Sequence, residues 1–490
     1  MSARSHRLTV AARAAAAVAV FAFSFGVTAA TVAHGRFAMG DFKAFYCSAR
    51  VVLEREDPYA AAPMVRCQST PAPAPLLVTK PGQVLPAPLP GYAIAAFVPL
   101  ALLPFPVACV LWIIVLLAAT VAAIVLLARA GIGKPWTIAV ALSILVGAAA
   151  LTVGEIPPIA LFGLALAICG ARENRAWKMG VGVALTLAEP QIGTAVALAA
   201  IAVNRRNVAP VALAALALGT LSLATLGLHE NLEYVSVVLP AHLVSELPSV
   251  LQYGLSWALY QSGTSAHAAV EFGRLSWVLM LGAAIWFARS APARRSPEVA
   301  LLAAPAFAIV GGPFLHFDHM ALAMPAAVWF AAKSSVPRWL RIAAVTALAI
   351  PLLHVFSHVP EFVLVPIVAC WLGAEFGGSF DAGLRSALVA VAVAGVVVVV
   401  SLVGGSGAHP VAAPHIATAA LAQDPWAQYV AGHLAMTSWT IWFVKAPTWF
   451  AIVTVAAGFA AAAISSLLEA VRHGRLAVRV VPVVADSRKV

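Results

Sequence analysis

Long apolar runs separated by short polar segments recur along almost the whole chain. A helix of roughly 20 predominantly apolar residues matches the thickness of a lipid bilayer. At that length, the pattern predicts about twelve spanning helices. They lie near residues 11–33, 106–128, 136–153, 157–171, 208–227, 266–288, 299–313, 319–332, 340–357, 360–375, 386–404 and 446–468. The sequence therefore predicts an all-α polytopic membrane protein.

The overall composition points to the same class. The chain has 490 residues, of which 62% are hydrophobic and 10% are charged, and its mean hydropathy is +0.95. A soluble protein of this length could not bury so much apolar surface, so residues 1–490 are expected to form a single integral membrane domain. The run near 11–33 is longer than a typical signal-peptide core, which favours a retained first spanning helix.

The net charge of +11 comes from basic residues that lie in short clusters between the apolar runs. Such clusters mark cytoplasmic loops, so the charge indicates topology rather than a nucleic-acid partner. Both termini are then cytoplasmic, and residues 469–490 form a cytoplasmic tail. The large outward segments are residues 34–105, 228–265 and 405–445. Cys47 and Cys67 lie in the first of these segments, where a disulfide is possible if the compartment is oxidising.

The stretch 178–206 interrupts the alternation of sides. It is apolar but has basic residues at both ends, and Glu-Pro-Gln at 189–191 breaks its middle. A single crossing would leave one basic end outside, whereas two re-entrant half-helices broken at Pro190 keep both ends in the cytoplasm. We therefore predict a re-entrant pair, with Glu189 and Gln191 on the cytoplasmic side in a structural role.

The first outward segment opens with a stretch that is rich in acids and aromatic residues. Asp41 follows the first spanning helix by a few residues, and Phe42, Phe45 and Tyr46 place aromatic rings beside it. An acid at the start of a helix has two interpretations. Asp41 can simply cap free backbone N–H groups at the positive end of the helix dipole, or it can be a functional acid.

The pattern Asp-Phe-x-x-Phe-Tyr, then a short helix and Asp-Pro-Tyr at 57–59, is similar to the opening of family 87 glycosyltransferases. A Pro-rich loop with Leu-Pro before the second crossing, the break at 189–191 and an outward His-x-x-His extend the resemblance. Glu189 departs from it, because a basic residue is commoner there. The resemblance implies a polytopic enzyme of the GT-C fold that uses a polyprenyl-phosphate sugar, typically mannose.

By that resemblance, Asp41 would be the general base that deprotonates an acceptor hydroxyl. The hydroxyl would attack the anomeric carbon and displace polyprenyl phosphate in one step, which inverts the anomeric centre. The implied partners are the polyprenyl-phosphate sugar donor, a glycolipid or glycan acceptor and membrane lipids. No nucleic acid, cofactor or metal is implied. We expect the protein in the bacterial inner membrane, with its active site facing outward.

A phosphate leaving group is stabilised by nearby positive charge. The basic side chains of the first outward segment that could supply it are Lys43, Arg50, Arg66 and Lys80. A solvated loop charge or a contact with lipid headgroups is the commoner role for any single one of them. We predict Lys80 first, together with Arg50 and with Tyr46 of the aromatic face, as substrate-binding residues.

Two further outward clusters could contact substrate. His316, Asp318 and His319 crowd a corner near membrane depth, where ionisable groups are costly and often functional, although a lone interfacial histidine is usually just capped. Three metal ligands within four residues rarely share good geometry, which disfavours a metal site. In residues 228–265, Tyr253 and Trp257 could stack on an acceptor sugar. An amphipathic periphery is the commoner role of such a segment.

The main alternative to glycosyl transfer is a multi-pass transporter or flippase of a lipid-linked solute. Transporters generally have repeated halves and ionisable residues near the bilayer midplane. In this sequence, the predicted spans are nearly free of charge, and acids cluster beside the first helix. The distribution therefore favours chemistry at the membrane surface.

Overall fold

The computed structural model describes residues 3–35, 39–69, 84–357, 359–403 and 439–472. Within these residues the secondary structure is helical, apart from one isolated β-bridge between Gln252 and His316. The prediction of an all-α polytopic membrane protein is confirmed.

The structure describes twenty-two α-helices in the residues given above. They are α1 (Ala3–Gly35), α2 (Gly40–Leu53), α3 (Ala61–Gln68), α4 (Gly91–Ala101), α5 (Phe105–Arg129), α6 (Pro135–Leu142), α7 (Leu151–Val153), α8 (Pro157–Arg172), α9 (Ala176–Thr186), α10 (Pro190–Val203), α11 (Val208–Glu233), α12 (Leu239–Ser245), α13 (Leu255–Gln261), α14 (Ala266–Ala288), α15 (Ala291–Arg295), α16 (Pro297–Gly311), α17 (Met324–Lys333), α18 (Arg338–Ala349), α19 (Leu352–Ser357), α20 (Leu364–Gly377), α21 (Phe380–Val403) and α22 (Trp439–Arg472). The π-helices are Ser143–Ala150 and Tyr234–Val238, and the 3₁₀-helices are Arg205–Asn207, Phe317–Leu322 and Val359–Val363.

Among the described residues, seven helical segments are long and apolar enough to cross a bilayer. They are Thr9–Ala30, Phe105–Arg129, Pro135–Val153, Arg205–Ser245, Ala266–Ala288, Phe380–Val400 and Thr440–Arg472. The other predicted crossings correspond to shorter helices, among them α8 with 16 residues, α16 with 15 and α20 with 14. The run near 340–357 is divided between α18 and α19 at Pro351, which cannot continue a helix without losing a backbone hydrogen bond.

Small residues bring α8 and α9 into close contact. A Cβ atom on Gly163 of α8 would lie 2.5 Å from the backbone nitrogen of Thr186 on α9. Glycine therefore lets the two backbones approach, as is typical of helix pairs in membranes. This contact fixes the end of α9, so the short turn that leads to Glu189 lies beside the start of α8.

A second close contact joins the first two helices to the corner that precedes α8. The backbone N–H of Met39 donates to the carbonyl of Thr152 at 2.8 Å. Gly154 has a positive φ of 82°, and a Cβ atom there would lie 2.5 Å from Cβ of Phe42. These contacts fix the start of α2 against the 152–155 corner.

The remainder of the first outward segment is tied down by polar and covalent contacts. Cys47 and Cys67, whose pairing the sequence leaves open, form a disulfide between α2 and α3. Lys43 donates to the carbonyl of Gln68 at 2.8 Å, and the Gln68 side chain both donates to and accepts from the backbone of Leu85. Lys80 and most of residues 405–445 lie outside the described residues.

The last helix holds the backbone pairing near His316. Lys445 of α22 is buried and donates to the carbonyl of Gln252, with its Nζ atom 3.3 Å from the centroid of the Trp257 ring. The next N–H, that of Tyr253, donates to the carbonyl of Leu315 at 2.6 Å. α22 therefore supports the segment that carries His316.

Candidate active site

A cavity of about 1280 Å³ lies between the first outward segment, the 152–155 corner, the α9–α10 turn, α11, α14 and the 313–319 segment. Most of its lining is apolar, but one group of ionisable side chains converges on it. These are Asp41, Glu155, Glu189, His242, Glu246, Arg274, His316, Asp318, His319 and His354. Ionisable groups gathered in a cavity inside a membrane protein are costly and often functional, which makes this cavity the candidate active site.

Asp41 and Glu155 meet at one side of the cavity. Their side chains share a hydrogen bond, and each carboxyl reaches the cavity while being surrounded by protein. Burial, reinforced by the charge of Asp318, raises the pKa of Asp41 to about 7. Burial and the neighbouring Asp41 likewise raise the pKa of Glu155 well above its ordinary value. Two adjacent carboxyls in such surroundings do not both ionise readily, so the pair holds a proton near neutral pH.

His319 forms the centre of a second polar group. Its Nε2 atom lies 3.0 Å from the Glu189 carboxylate and 3.2 Å from the Gln191 amide, while Nδ1 accepts the backbone N–H of His316 at 3.0 Å. Burial lowers the pKa of His319, but the carboxylates of Glu189 and Asp318 outweigh burial and raise the pKa to about 9. Nδ1 also lies 3.6 Å from Oδ1 of Asp318.

His316 belongs to a third polar group beside the second. Its Nε2 atom lies 3.4 Å from the carboxylate of Glu246, which also accepts from the Gln252 amide at 3.3 Å. Burial acts to raise the pKa of Glu246, but the hydrogen bond and charge of His316 outweigh it and lower this pKa. Two imidazoles, each backed by a carboxylate, therefore face the cavity side by side.

The opposite part of the cavity is apolar. Leu218 and Leu223 of α11 line it together with Val278 of α14, and the indole of Trp277 donates to the carbonyl of Gln191 at 2.8 Å. The outer face of α11 leaves Leu213 and Leu216 about two-thirds exposed, at 65% and 66%, so this helix borders the lipid phase. The cavity thus joins a polar end to an apolar wall near the lipid.

The structure brings together only part of the predicted site. Asp41, His316, Asp318 and His319 line the cavity. Tyr46 instead donates to the carbonyl of Leu103, and Arg50 pairs with Glu54 on the exposed side of α2. The rings of Tyr253 and Trp257 pack against Lys445 and do not line this cavity. In this position they support the backbone around residue 252.

The sequence predicted a structural role on the cytoplasmic side for Glu189 and Gln191, whereas the structure brings both residues together with Asp41. Both residues line the cavity that Asp41 lines, because α9 packs along α8 and its end reaches the site. Glu246, from a segment that resembled an amphipathic periphery, is buried beside His316. Glu155 was missed, although an acid in a Gly-Glu-x-Pro-Pro turn between two apolar runs is a usable sequence signal.

Residues 90–325 match the family model of glycosyltransferase family 87. The matched range contains Glu155, Glu189 and the 316–319 segment, so the family resemblance is supported there. Asp41 precedes the matched range, and the tertiary structure brings it to the same cavity as the matched residues. No curated protein and no solved structure matches the chain.

Among the described residues, no group of three or more His, Cys, Asp or Glu side chains is arranged to hold a metal ion. The carboxylates of Glu189 and Glu246 are instead directed at His319 and His316. The polar end of the cavity is therefore built from acid–acid and acid–imidazole contacts, which are suited to moving protons and to binding an anion.

Proposed function

We propose that the protein is a membrane glycosyltransferase that moves a sugar, mannose being the first candidate, from a polyprenyl-phosphate donor to the hydroxyl of an extracytoplasmic glycolipid or glycan. The observation that carries the proposal is the shared cavity. It joins Asp41 to the two histidines of a region that matches glycosyltransferase family 87.

Asp41 is the proposed general base. A base works best when its pKa lies near the working pH, and burial raises the pKa of Asp41 to about 7. Its carboxylate takes the proton of the acceptor hydroxyl, whose oxygen forms the new bond to the anomeric carbon. The bond from that carbon to the phosphate oxygen breaks, and its electron pair leaves with the polyprenyl phosphate. A single displacement of this kind inverts the anomeric centre.

His316 and His319 are the proposed contacts for the donor phosphate. Arg274, the arginine of the cavity lining, is already paired with Glu271 at 2.6 Å, whereas the two imidazoles face the cavity beside Asp318. Imidazoles that carry a proton can stabilise the negative charge that develops on the leaving phosphate. The carboxylate of Glu189 favours that protonated form of His319.

The apolar wall suits the lipid part of the donor. A polyprenyl chain has no polar group to satisfy, so it can lie against Leu218, Leu223 and Val278 while the phosphate remains at the histidines. The disulfide between Cys47 and Cys67 supports an outward-facing first segment, because disulfides persist on the oxidising side of the bacterial inner membrane.

The test is a transfer assay in membranes that contain the full-length protein and polyprenyl-phosphate mannose whose sugar is labelled. We expect Asp41→Asn to lower transfer by roughly 10²–10⁴-fold, because the amide cannot accept the proton. Asp57→Asn is the matched control, since Asp57 lies outside the cavity and caps the N–H of Tyr59 at 2.8 Å, a contact that asparagine can keep.

Equal transfer by wild type and Asp41→Asn would remove Asp41 from the mechanism. A wild-type protein that transfers neither mannose nor another hexose from polyprenyl phosphate would overturn the proposed activity.

A further inference from the structure

The contact between Asp41 and Glu155 is built by two separate elements. Asp41 lies in the first turn of α2, whereas Glu155 follows Gly154 in the corner before α8. The hydrogen bond from Met39 to Thr152 and the close approach of Gly154 to Phe42 hold these elements together. The indole of Trp112 also donates to the Gly154 carbonyl at 2.8 Å. The carboxyl pair is therefore a product of backbone packing rather than of flexible side chains.

The surroundings of the pair are mostly negative. Glu155 acts on Asp41 through a hydrogen bond, and the charged groups that act on it are Asp318, His316 and Glu246. Those that act on Glu155 are Asp41, Asp318 and Glu189. One carboxyl oxygen of Glu155, Oε2, accepts the N–H of Ile156 at 3.2 Å, which leaves Oε1 as the oxygen that can hold a proton.

We propose that Glu155 is a positioning residue that stays protonated and donates its hydrogen bond to the Asp41 carboxylate. The inference rests on the proposed function, in which Asp41 is the base. With one oxygen of Asp41 occupied by Glu155, the other is directed at the acceptor hydroxyl. Glu155 keeps its own proton through the reaction, and the proton taken from the acceptor lies on Asp41 until it returns to water.

Two substitutions of similar size separate hydrogen bonding from packing. Glu155→Gln keeps a donor group and removes the titrating proton, whereas Glu155→Leu removes the donor. We expect Glu155→Gln to retain transfer within about threefold of wild type, and Glu155→Leu to lose roughly 10–100-fold. In Glu155→Leu the acidic limb of the pH–rate profile should move upward by about one pH unit, because the Asp41 carboxylate loses a hydrogen bond that stabilises it.

Glu173→Gln is the matched control for these variants. Glu173 pairs with Lys178 at 2.8 Å on an exposed turn outside the cavity, and its substitution should change neither rate nor profile. A purely structural role of Glu155 could lower the rate of Glu155→Leu, but it would not shift the acidic limb. The proposal is overturned if Glu155→Gln loses as much as Glu155→Leu, or if Glu155→Leu keeps the wild-type profile.

Infrared spectroscopy of the full-length protein in lipid nanodiscs provides a readout that needs no activity. We expect the wild type to show the C=O band of a protonated carboxyl at about pH 8.5, above the pKa of Asp41, and Glu155→Gln to lack that band. An unchanged band in Glu155→Gln would contradict the proposal even if wild type transfers sugar. Conversely, the wild type could show the band but transfer no sugar. That result would support a protonated Glu155 and refute only the proposed function.

Discussion

Single residues in this cavity take their properties from neighbours that are distant in sequence. His319 is the clearest example, because Glu189 lies 130 positions away in the chain but only 3.0 Å from Nε2. An isolated buried histidine would lose its proton more easily than in water, whereas this one is expected to keep it. The charge at the proposed phosphate site therefore depends on Glu189.

We expect the KM for the labelled donor to rise in wild type as the pH increases through about 9, because His319 then loses its proton. Below that pH the protonated imidazole is available to the phosphate. Glu189→Gln removes the carboxylate that raises the pKa of His319, so the same rise in KM should occur at lower pH. The measurement is donor KM as a function of pH for both proteins.

Glu469→Gln is the control for this titration, since Glu469 lies exposed in the last turn of α22, outside the cavity. A donor KM that stays constant across the same pH range in wild type would contradict a role for His319 in phosphate binding.

Whole elements reach the site because small residues allow helices to pack closely. The pairing of α8 with α9 through Gly163 places the 187–189 turn at the cavity, and the following α10 begins at Pro190. Pro190 lacks an N–H group and lies at the first position of its helix, where that group would have no helical partner. The break between α9 and α10 therefore also brings Glu189 and Gln191 to the cavity.

We expect Gly163→Ala to destabilise the protein by about 1–3 kcal/mol, because the added methyl group would press on the backbone of α9. The displaced turn should also weaken transfer by moving Glu189 away from His319. Thermal unfolding in detergent measures the first effect, and the membrane transfer assay measures the second.

Gly282→Ala is the matched control, since a Cβ atom on Gly282 of α14 would meet nothing within 4 Å. Alanine is the better helix former, so this control should unfold at the same temperature as wild type or higher. Equal unfolding temperatures for Gly163→Ala and Gly282→Ala would contradict a contribution of the close α8–α9 contact to stability.

At the scale of the whole molecule, the site depends on elements from both ends of the chain. The first outward segment contributes Asp41, the region matching family 87 contributes most of the remaining polar groups, and α22 contributes Lys445 beneath the pairing of 252–253 with 315–316. The proposed orientation in the membrane follows from the first segment, whose disulfide requires an oxidising compartment.

We expect Cys47 and Cys67 to resist alkylation in protein purified without reductant from the bacterial inner membrane, because the first segment is proposed to face outward. Mass spectrometry should recover both in one cross-linked peptide pair, while Cys109, Cys169 and Cys370 remain free thiols. The Cys47→Ser/Cys67→Ser variant should be less stable by about 3 kcal/mol, the value for a loop of this length. Two free thiols at these positions in wild type would contradict the outward orientation.

The sequence was enough to predict the membrane class and part of the site. Run lengths and local charge predicted an all-helical polytopic chain, and Asp41 with His316, Asp318 and His319 stood out as ionisable residues at the ends of apolar runs. These signals are local, so they require no knowledge of which helices touch. The number of full crossings was harder to predict from the sequence, because prolines divide several apolar runs into short helices.

Contacts between distant segments were decided only by the tertiary structure. Glu155 and Glu189 became partners of Asp41 and His319 because Gly154 and Gly163 let backbones approach, and neither approach is encoded in the residues next to the acids. Tyr253 and Trp257, which have the right chemistry for a sugar, instead surround Lys445 because α22 packs against them. Apolar patterning determines that helices enter the membrane, whereas side-chain size at their contacts determines which polar groups meet.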